Sequence, residues 1–138
     1  MCKHVLAMCL LVAAAVALEE TFDHELQQYE RLMIKFKPSK KFSFEFLTES
    51  NEPVFKLTCA DGKNIRIVHD DAEPIIKDVG LAPGKELELS FYVGDDGVHI
   101  TKDSLGLADF NTTGHPLTKI VKIKMSGLEE TPVFSAVL

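Results

Sequence analysis

Short stretches in which apolar and polar residues alternate dominate this chain. In residues 42–46 three phenylalanines alternate with a serine and a glutamate. A period of two places the three rings on one face of an extended strand and the polar groups on the other. The same alternation recurs in residues 55–59, 87–93 and 98–101. These segments predict half-buried strands that each turn one face to a core.

Turn-forming residues separate these strands at intervals of roughly ten residues. Examples are Asp61-Gly62 and the four-residue loop Gly94–Gly97, which predicts a hairpin between its flanking strands. Long helical patterns, which a parallel sheet needs for its crossovers, are missing from the sequence, so we predict an all-β antiparallel β-sandwich. Its inner surfaces should be lined by Phe42, Phe44, Phe46, Leu87, Leu89 and Phe91.

The first 17 residues have the features of a secretory signal peptide. Lys3 precedes an apolar run from Val5 to Val12, and the small residues of Ala13–Ala17 fit a signal-peptidase site. The run is too short to span a bilayer, which takes about 20 residues. The sequence therefore predicts a secreted, extracellular protein that begins at Leu18 and does not insert into a membrane.

The segment after the signal peptide, residues 18–31, follows a different pattern. Phe22, Leu26 and Tyr29 recur at steps of three or four residues, which is typical of a short amphipathic helix. We therefore predict an N-terminal segment with a short helix, followed by a sandwich domain over residues 32–138.

Cysteine use points to a core held by packing. Cys2 and Cys9 would leave with the signal peptide, so the mature chain would keep Cys59 alone and form no internal disulfide. Cys59 shares the alternating face of Phe55 and Leu57, which predicts a buried thiol that acts as a small hydrophobic side chain.

No catalytic or metal-binding pattern is present in the sequence. Acidic pairs such as Asp70-Asp71 are adjacent, so on an extended chain they point to opposite faces, and we interpret them as solvated turns. The histidines lack the close spacing of zinc ligands, and no nucleophile elbow or nucleotide-binding glycine loop occurs. We therefore predict no catalytic residues, metal or cofactor, although an outward His99 beside a carboxylate would be the best start for an enzyme.

Residues 42–57, FSFEFLTESNEPVFKL, resemble a stretch of the galectin family in which two strands lead into the sugar site. Residues 81–91 resemble the following turn and strand, and residues 98–137 resemble the remaining strands in order. The similarity covers residues 32–138. It implies a galectin-like jelly roll that binds carbohydrate without chemical change.

The resemblance also implies where sugar would bind. Galectins use a His-x-Asn-x-Arg strand, and the matched blocks place Lys56, Thr58 and Ala60 at its three polar positions. His69 falls where the family has a further asparagine, and the stacking tryptophan has no counterpart because the chain contains none. The implied carbohydrate site is non-standard and consists of Lys56, Thr58 and His69.

The alternation of inward and outward side chains along a strand leaves two points of this site open. His69 shares the parity of Ile65 and Ile67, so it would point inward with them unless the alignment slips or a bulge intervenes. Tyr92 or His99 could add an aromatic or polar group near Lys56.

The leading functional interpretation is a secreted galectin-like lectin whose partners are glycans or glycoproteins. The alternative is a structural or protein-interaction sandwich that has lost sugar binding and pairs through a sheet face or edge strand. An apolar-ligand carrier of the lipocalin type is disfavoured because its early tryptophan is missing. The net charge of −6 argues against nucleic acid.

The sequence also bears on glycosylation and self-association. Asn111-Thr112-Thr113 is an N-glycosylation sequon, which suits a loop of a secreted protein. A homodimer is left open, since Cys59, a flat edge strand or the tail at residues 133–138 could mediate self-association.

Overall fold

A computed structural model describes residues 18–82 and 84–138. The described residues form eleven β-strands and a short 3₁₀ helix at Leu117–Lys119. None of their helices is long and apolar enough to cross a bilayer. The signal peptide predicted for residues 1–17 lies outside the described part. The strands are β1 Leu18–Asp23, β2 Arg31–Phe36, β3 Pro38–Leu47, β4 Pro53–Cys59, β5 Asn64–His69, β6 Ile75–Asp78, β7 Leu87–Gly94, β8 Gly97–Lys102, β9 Leu105–Phe110, β10 Lys122–Leu128 and β11 Val133–Val137.

The strands pair into two sheets, in which every pairing is antiparallel. The larger sheet has six strands in the order β1-β10-β3-β4-β5-β6. The smaller sheet has five strands in the order β11-β2-β7-β8-β9. The predicted all-β antiparallel sandwich is confirmed.

The core lies between the sheets and is built from the alternating apolar residues. Phe46 of the larger sheet packs 4.8 Å from Phe91 of the smaller sheet, measured between ring centroids, and also stacks on Phe55 at 4.1 Å. Full burial of such a ring contributes about 1.5–3 kcal/mol. The residues expected on the inner surfaces are all buried: Phe42, Phe44, Phe46, Leu87, Leu89 and Phe91.

The short helix expected in residues 18–31 is wrong, because β1 pairs with β10 along the edge of the larger sheet. The Phe22 ring stacks at 3.8 Å on Phe134 of β11, and Leu26 is buried in the loop that follows β1. A helix this short is marginal on its own, whereas pairing with an available edge satisfies the backbone and buries the same apolar side chains. The sandwich therefore includes strand residues that precede residue 32.

The hairpin between β7 and β8 is tighter than the sequence predicted. Gly94 and Gly97 face each other as the last paired residues, so the loop itself consists of Asp95 and Asp96. Gly97 has a φ of 127°, and a Cβ there would overlap the carbonyl oxygen of Phe110. Only glycine fits this position, because the turn requires both the unusual dihedral and the close approach.

The burial predicted for Cys59 is confirmed, since only 2% of the residue is exposed. Its Sγ lies 3.8 Å from the carbonyl oxygen of Lys40. A thiol enclosed in this way is not available for an intermolecular disulfide in the folded protein.

Candidate functional site

The outward surface of the larger sheet carries two of the three residues expected to bind sugar. In β4, Lys56 and Thr58 alternate with buried Phe55, Leu57 and Cys59, so both polar side chains point away from the core. The structure therefore brings Lys56 and Thr58 to one surface. We call the outward side of β10, β3, β4, β5 and β6 the outer face.

Two rows of side chains cross the outer face. In the first row, Lys56 lies between Glu45 of β3 and Val68 of β5. Its Nζ is 3.7 Å from the Glu45 Oε1 atom. Ion pairs this exposed contribute about 0–1 kcal/mol, so Lys56 can leave Glu45 for another partner at little cost.

The second row is rich in hydroxyl groups. Thr58 lies between Ser43 of β3 and Arg66 of β5, and Ser43 is followed by Ser126 of β10. The Oγ atoms of Ser43 and Ser126 are 2.8 Å apart. Arg66 faces Ile76 of β6 at the far end. This row offers hydrogen-bond donors and acceptors held on rigid strands.

Exposed aliphatic side chains border the two rows on the β6 side. Val68 is 38% exposed and Ile76 is 60% exposed. They give the outer face a small apolar area next to Arg66. Aliphatic groups supply contact area but lack the flat π surface on which a sugar ring stacks.

His69 has a different orientation from Lys56 and Thr58. It is the last residue of β5, pairs with Phe55 and has the inward parity of Ile65 and Ile67. Its imidazole stacks on Phe110 with centroids 4.5 Å apart, and 11% of the side chain is exposed. The inward direction agrees with the alternation of β5, whose pairing with β4 runs without a bulge.

A depression at the end of the larger sheet nevertheless joins His69 to Lys56. It has a volume of about 480 Å³, and its lining includes Lys56, Val68, His69 and Asp70. Thr58 is not part of this lining and lies further along β4. The row of Glu45, Lys56 and Val68 therefore lies between the depression and the hydroxyl row.

Asp70 fixes the loop that closes this depression. Its carboxylate accepts hydrogen bonds from the backbone N–H groups of Thr113 at 2.9 Å and Gly114 at 2.7 Å. Burial raises the pKa of Asp70, but these two N–H groups and His69 lower it by more, so the pKa lies below its usual range. The sequence predicted a solvated turn here, because nothing local reveals partners more than 40 residues away in the chain.

Tyr92 and His99, which were expected near Lys56, lie on the outward side of the smaller sheet. That expectation is wrong because β7 and β8 belong to the other layer of the sandwich. The Tyr92 ring lies 6.0 Å from the His99 ring, and the Arg31 guanidinium sits 5.5 Å from the Tyr92 centroid. His99 Nδ1 is 2.7 Å from an Asp109 oxygen. Within the described residues no hydroxyl or thiol hydrogen-bonds to this pair.

Two other features bear on ligands and modification. Across residues 18–82 and 84–138, no group of three or more histidine, cysteine or acidic side chains is arranged to hold a metal ion. Asn111 is exposed and its Oδ1 accepts the Thr112 N–H at 2.9 Å, while the Thr112 hydroxyl donates to the carbonyl oxygen of His115. The sequon asparagine therefore lies on the surface.

No family model matches the sequence, and no curated protein matches it significantly. Solved structures do share the fold. A variant of human galectin-16 superposes with a TM-score of 0.70 at 15% identity, over 84% of this chain and 94% of that chain. Xenopus laevis galectin-Ib gives 0.67 at 17% identity, over 86% and 100%. A tetrameric galectin from the ball sponge Cinachyrella sp. gives 0.67 at 8% identity, over 88% and 100%. The chain has a galectin-like fold, as the resemblance predicted.

Proposed function

We propose that this protein, with its galectin-like fold, is a secreted lectin that binds glycans on the outer face. The observation that carries the proposal is the polar row of Ser126, Ser43, Thr58 and Arg66 with Lys56 beside it. Sugar hydroxyls both donate and accept hydrogen bonds, and this row presents hydroxyl groups and cationic donors at fixed strand spacing. The protein would act by binding alone, with its partners being glycans or glycoproteins.

The composition of the row sets the expected strength of binding. Each neutral hydrogen bond contributes only about 0.5–1.5 kcal/mol net, and no aromatic ring of the described outer face adds stacking. We therefore expect neutral disaccharides to bind with dissociation constants of about 1 mM, which corresponds to about −4 kcal/mol. His69 contributes through the depression it shares with Lys56 and does not reach the hydroxyl row.

A glycan array tests the proposal directly, with free sugar as competitor. Thr58→Val removes one outer-face hydroxyl at nearly constant shape, and we expect it to weaken binding about fivefold, or about 1 kcal/mol. Thr101→Val is the matched control, because Thr101 points outward from the smaller sheet. Equal effects of the two variants would remove Thr58 from the site, and failure of every glycan to bind would refute the lectin proposal.

The edge strand β11 favours a second candidate function, a protein-interaction module. Val133 is 63% exposed and Val137 is 54% exposed on a strand that pairs on one side only. Such an edge can add a strand from a partner or from a second copy of the chain, which would also make a lectin multivalent. If the chain self-associates through this edge, sedimentation should show a larger species for the wild type than for Val133→Lys. A different protein bound at this edge should not be displaced by free sugar.

Secretion and glycosylation form the remaining part of the proposal. We infer that residues 1–17 direct export and that exposed Asn111 receives an N-linked glycan. Mass spectrometry of the protein from a secreting eukaryotic host should show an N-terminus at Leu18. If Asn111 carries an N-linked glycan, enzymatic removal of the glycan by an amidase should convert Asn111 to aspartate. A protein that stays in the cell with Met1 intact would contradict the export proposal.

A further inference from the structure

The outer face concentrates positive charge in a protein whose net charge is −6. Alternation in β10, β4 and β5 turns Lys122, Lys124, Lys56 and Arg66 outward, whereas the acidic side chains of the outer face on the described strands are Glu45 of β3 and Asp78 of β6. The serines and threonine between them are neutral. The sheet surface at the proposed sugar site is therefore locally cationic.

Not all of these cations are already paired within the protein. Lys122 Nζ donates to the side chain of Asn51 at 2.9 Å, and Lys56 has its weak contact with Glu45. Among the described residues, no carboxylate lies within ion-pair distance of Arg66 or Lys124. Arg66 is exposed and is flanked by Thr58 on one side and Ile76 on the other. Its guanidinium is free to take an external anion.

Arg66 and Lys56 are placed to act together. Lys56 faces Val68, which is two residues beyond Arg66 on the same side of β5, so the two cations occupy a diagonal pair across neighbouring strands. Diagonal neighbours of this kind are about 7–8 Å apart, within reach of two long side chains. A guanidinium binds sulfate or carboxylate oxygens with two parallel hydrogen bonds, and the lysine adds a point charge.

The acidic residues of β1 lie far from Arg66, whereas Asp78 of β6 lies near it. Glu19 and Asp23 belong to β1, which is four strand spacings, or about 19 Å, from β5. That separation exceeds two Debye lengths of about 8 Å at physiological salt. Asp78 of β6 is nearer, because it faces Asn64, two residues before Arg66, and it keeps its negative charge while its Oδ1 accepts the N–H of Gly80 at 3.1 Å. Among the described residues it forms no ion pair with Arg66, so the guanidinium can turn toward an anion held between Arg66 and Lys56.

We propose that the outer face selects glycans that carry an anionic group, either a sulfate ester or a carboxylate, and that Arg66 with Lys56 holds that group. This inference rests on the proposed lectin function and names its ligand class. The charge-assisted bonds replace the binding that a stacking ring would otherwise supply. They raise affinity for the anionic glycan about tenfold or more over the same neutral sugar.

Calorimetric titration with three probes on one scaffold tests the inference: lactose, 3′-sulfolactose and 3′-sialyllactose. We expect at least one anionic probe to bind about tenfold more tightly than lactose, with the advantage falling as sodium chloride is added. The probe with the larger gain identifies whether sulfate or carboxylate is preferred. Arg66→Gln should remove the gain, so that within this variant the anionic probe and lactose bind with affinities equal to within about twofold.

Arg31→Gln is the matched control, because Arg31 lies on the smaller sheet, away from the outer face. Unchanged melting curves would show that both variants remain folded. Equal affinity for neutral and anionic probes overturns the ligand class while leaving the lectin proposal standing. The ligand class is also overturned if the gain for the anionic probe survives in Arg66→Gln, or if Arg31→Gln loses the gain to the same extent. If no probe and no arrayed glycan binds, the lectin proposal fails and the inference fails with it.

Discussion

Replacing Asp70 by asparagine tests how one carboxylate holds the loops at the end of the sandwich together. The two oxygens of Asp70 accept the N–H groups of Thr113 and Gly114, which follow β9, an edge strand of the smaller sheet. Asp70 has a φ of 49°, a left-handed conformation that asparagine also tolerates. The Asp70→Asn variant therefore keeps the shape and backbone while it removes the charge and one acceptor.

The structure sets the size of the expected effect. Hydrogen bonds to charged groups contribute about 1.5–3 kcal/mol each, and a neutral amide oxygen retains one bond of about 0.5–1.5 kcal/mol. The Asp70 side chain is 15% exposed, so a neutral group also avoids part of the desolvation cost of the carboxylate. We expect Asp70→Asn to lower the free energy of unfolding by about 2–3 kcal/mol at neutral pH.

The same contacts predict how this difference depends on pH. The folded-state pKa of Asp70 lies below its usual range, against an unfolded value of about 3.9. The stabilisation is therefore fully present above the unfolded pKa and is lost as the pH falls through the folded pKa. The gap between wild type and Asp70→Asn should stay constant near neutral pH and shrink below about pH 4.

Urea unfolding followed by far-UV circular dichroism measures the free energy of unfolding of each variant and its dependence on pH. Asp71→Asn is the control, because Asp71 is exposed and its side chain makes no hydrogen bond among the described residues. Its free energy of unfolding should change by less than about 0.5 kcal/mol. Similar losses in the two variants, or a gap that persists unchanged down to about pH 3, would refute this account of Asp70.

Three further predictions concern the packing. Gly127 has a φ of 78° and a Cβ there would overlap the Lys41 carbonyl oxygen, so Gly127→Ala should cost about 2 kcal/mol or more in urea unfolding, whereas Gly106→Ala, with open space around it, should cost almost nothing. Phe44→Ala removes a ring with no exposed surface and should cost about 3–5 kcal/mol; a loss below about 1 kcal/mol would show that the ring is not in the core. The Cys59 thiol should react with a disulfide reagent only after urea is added, and rapid reaction of the native protein would contradict its burial.

Local patterns predicted the strands that carry strong alternation, and they failed where alternation was weak. The phenylalanines of β3 indicated both the strand and its buried face, which the packing of Phe46 on Phe91 confirms. In β1 only Phe22 gives an apolar inward signal, so the segment was mistaken for a helix. Its strand state depends on pairing with β10, about 100 residues later in the chain.

The residues of the candidate site were likewise predicted from the sequence only in part. Alternation in β4 was enough to put Lys56 and Thr58 on one outward surface, and the parity of β5 predicted the inward direction of His69. The sequence could not reveal that Arg66 is the neighbour of Thr58, because the register between β4 and β5 is a property of the assembled sheet. It also misplaced Tyr92, whose strand belongs to the other layer.

The order of the amino acids is enough to predict which side chains of a strand face the core, since successive residues of an extended backbone point in opposite directions wherever the strand lies. The assembly of the two sheets sets which strands are neighbours, which loops Asp70 ties together and which cations gather on the outer face. Those contacts join residues far apart in the chain. They form only when the two sheets pack and bury their shared apolar surface.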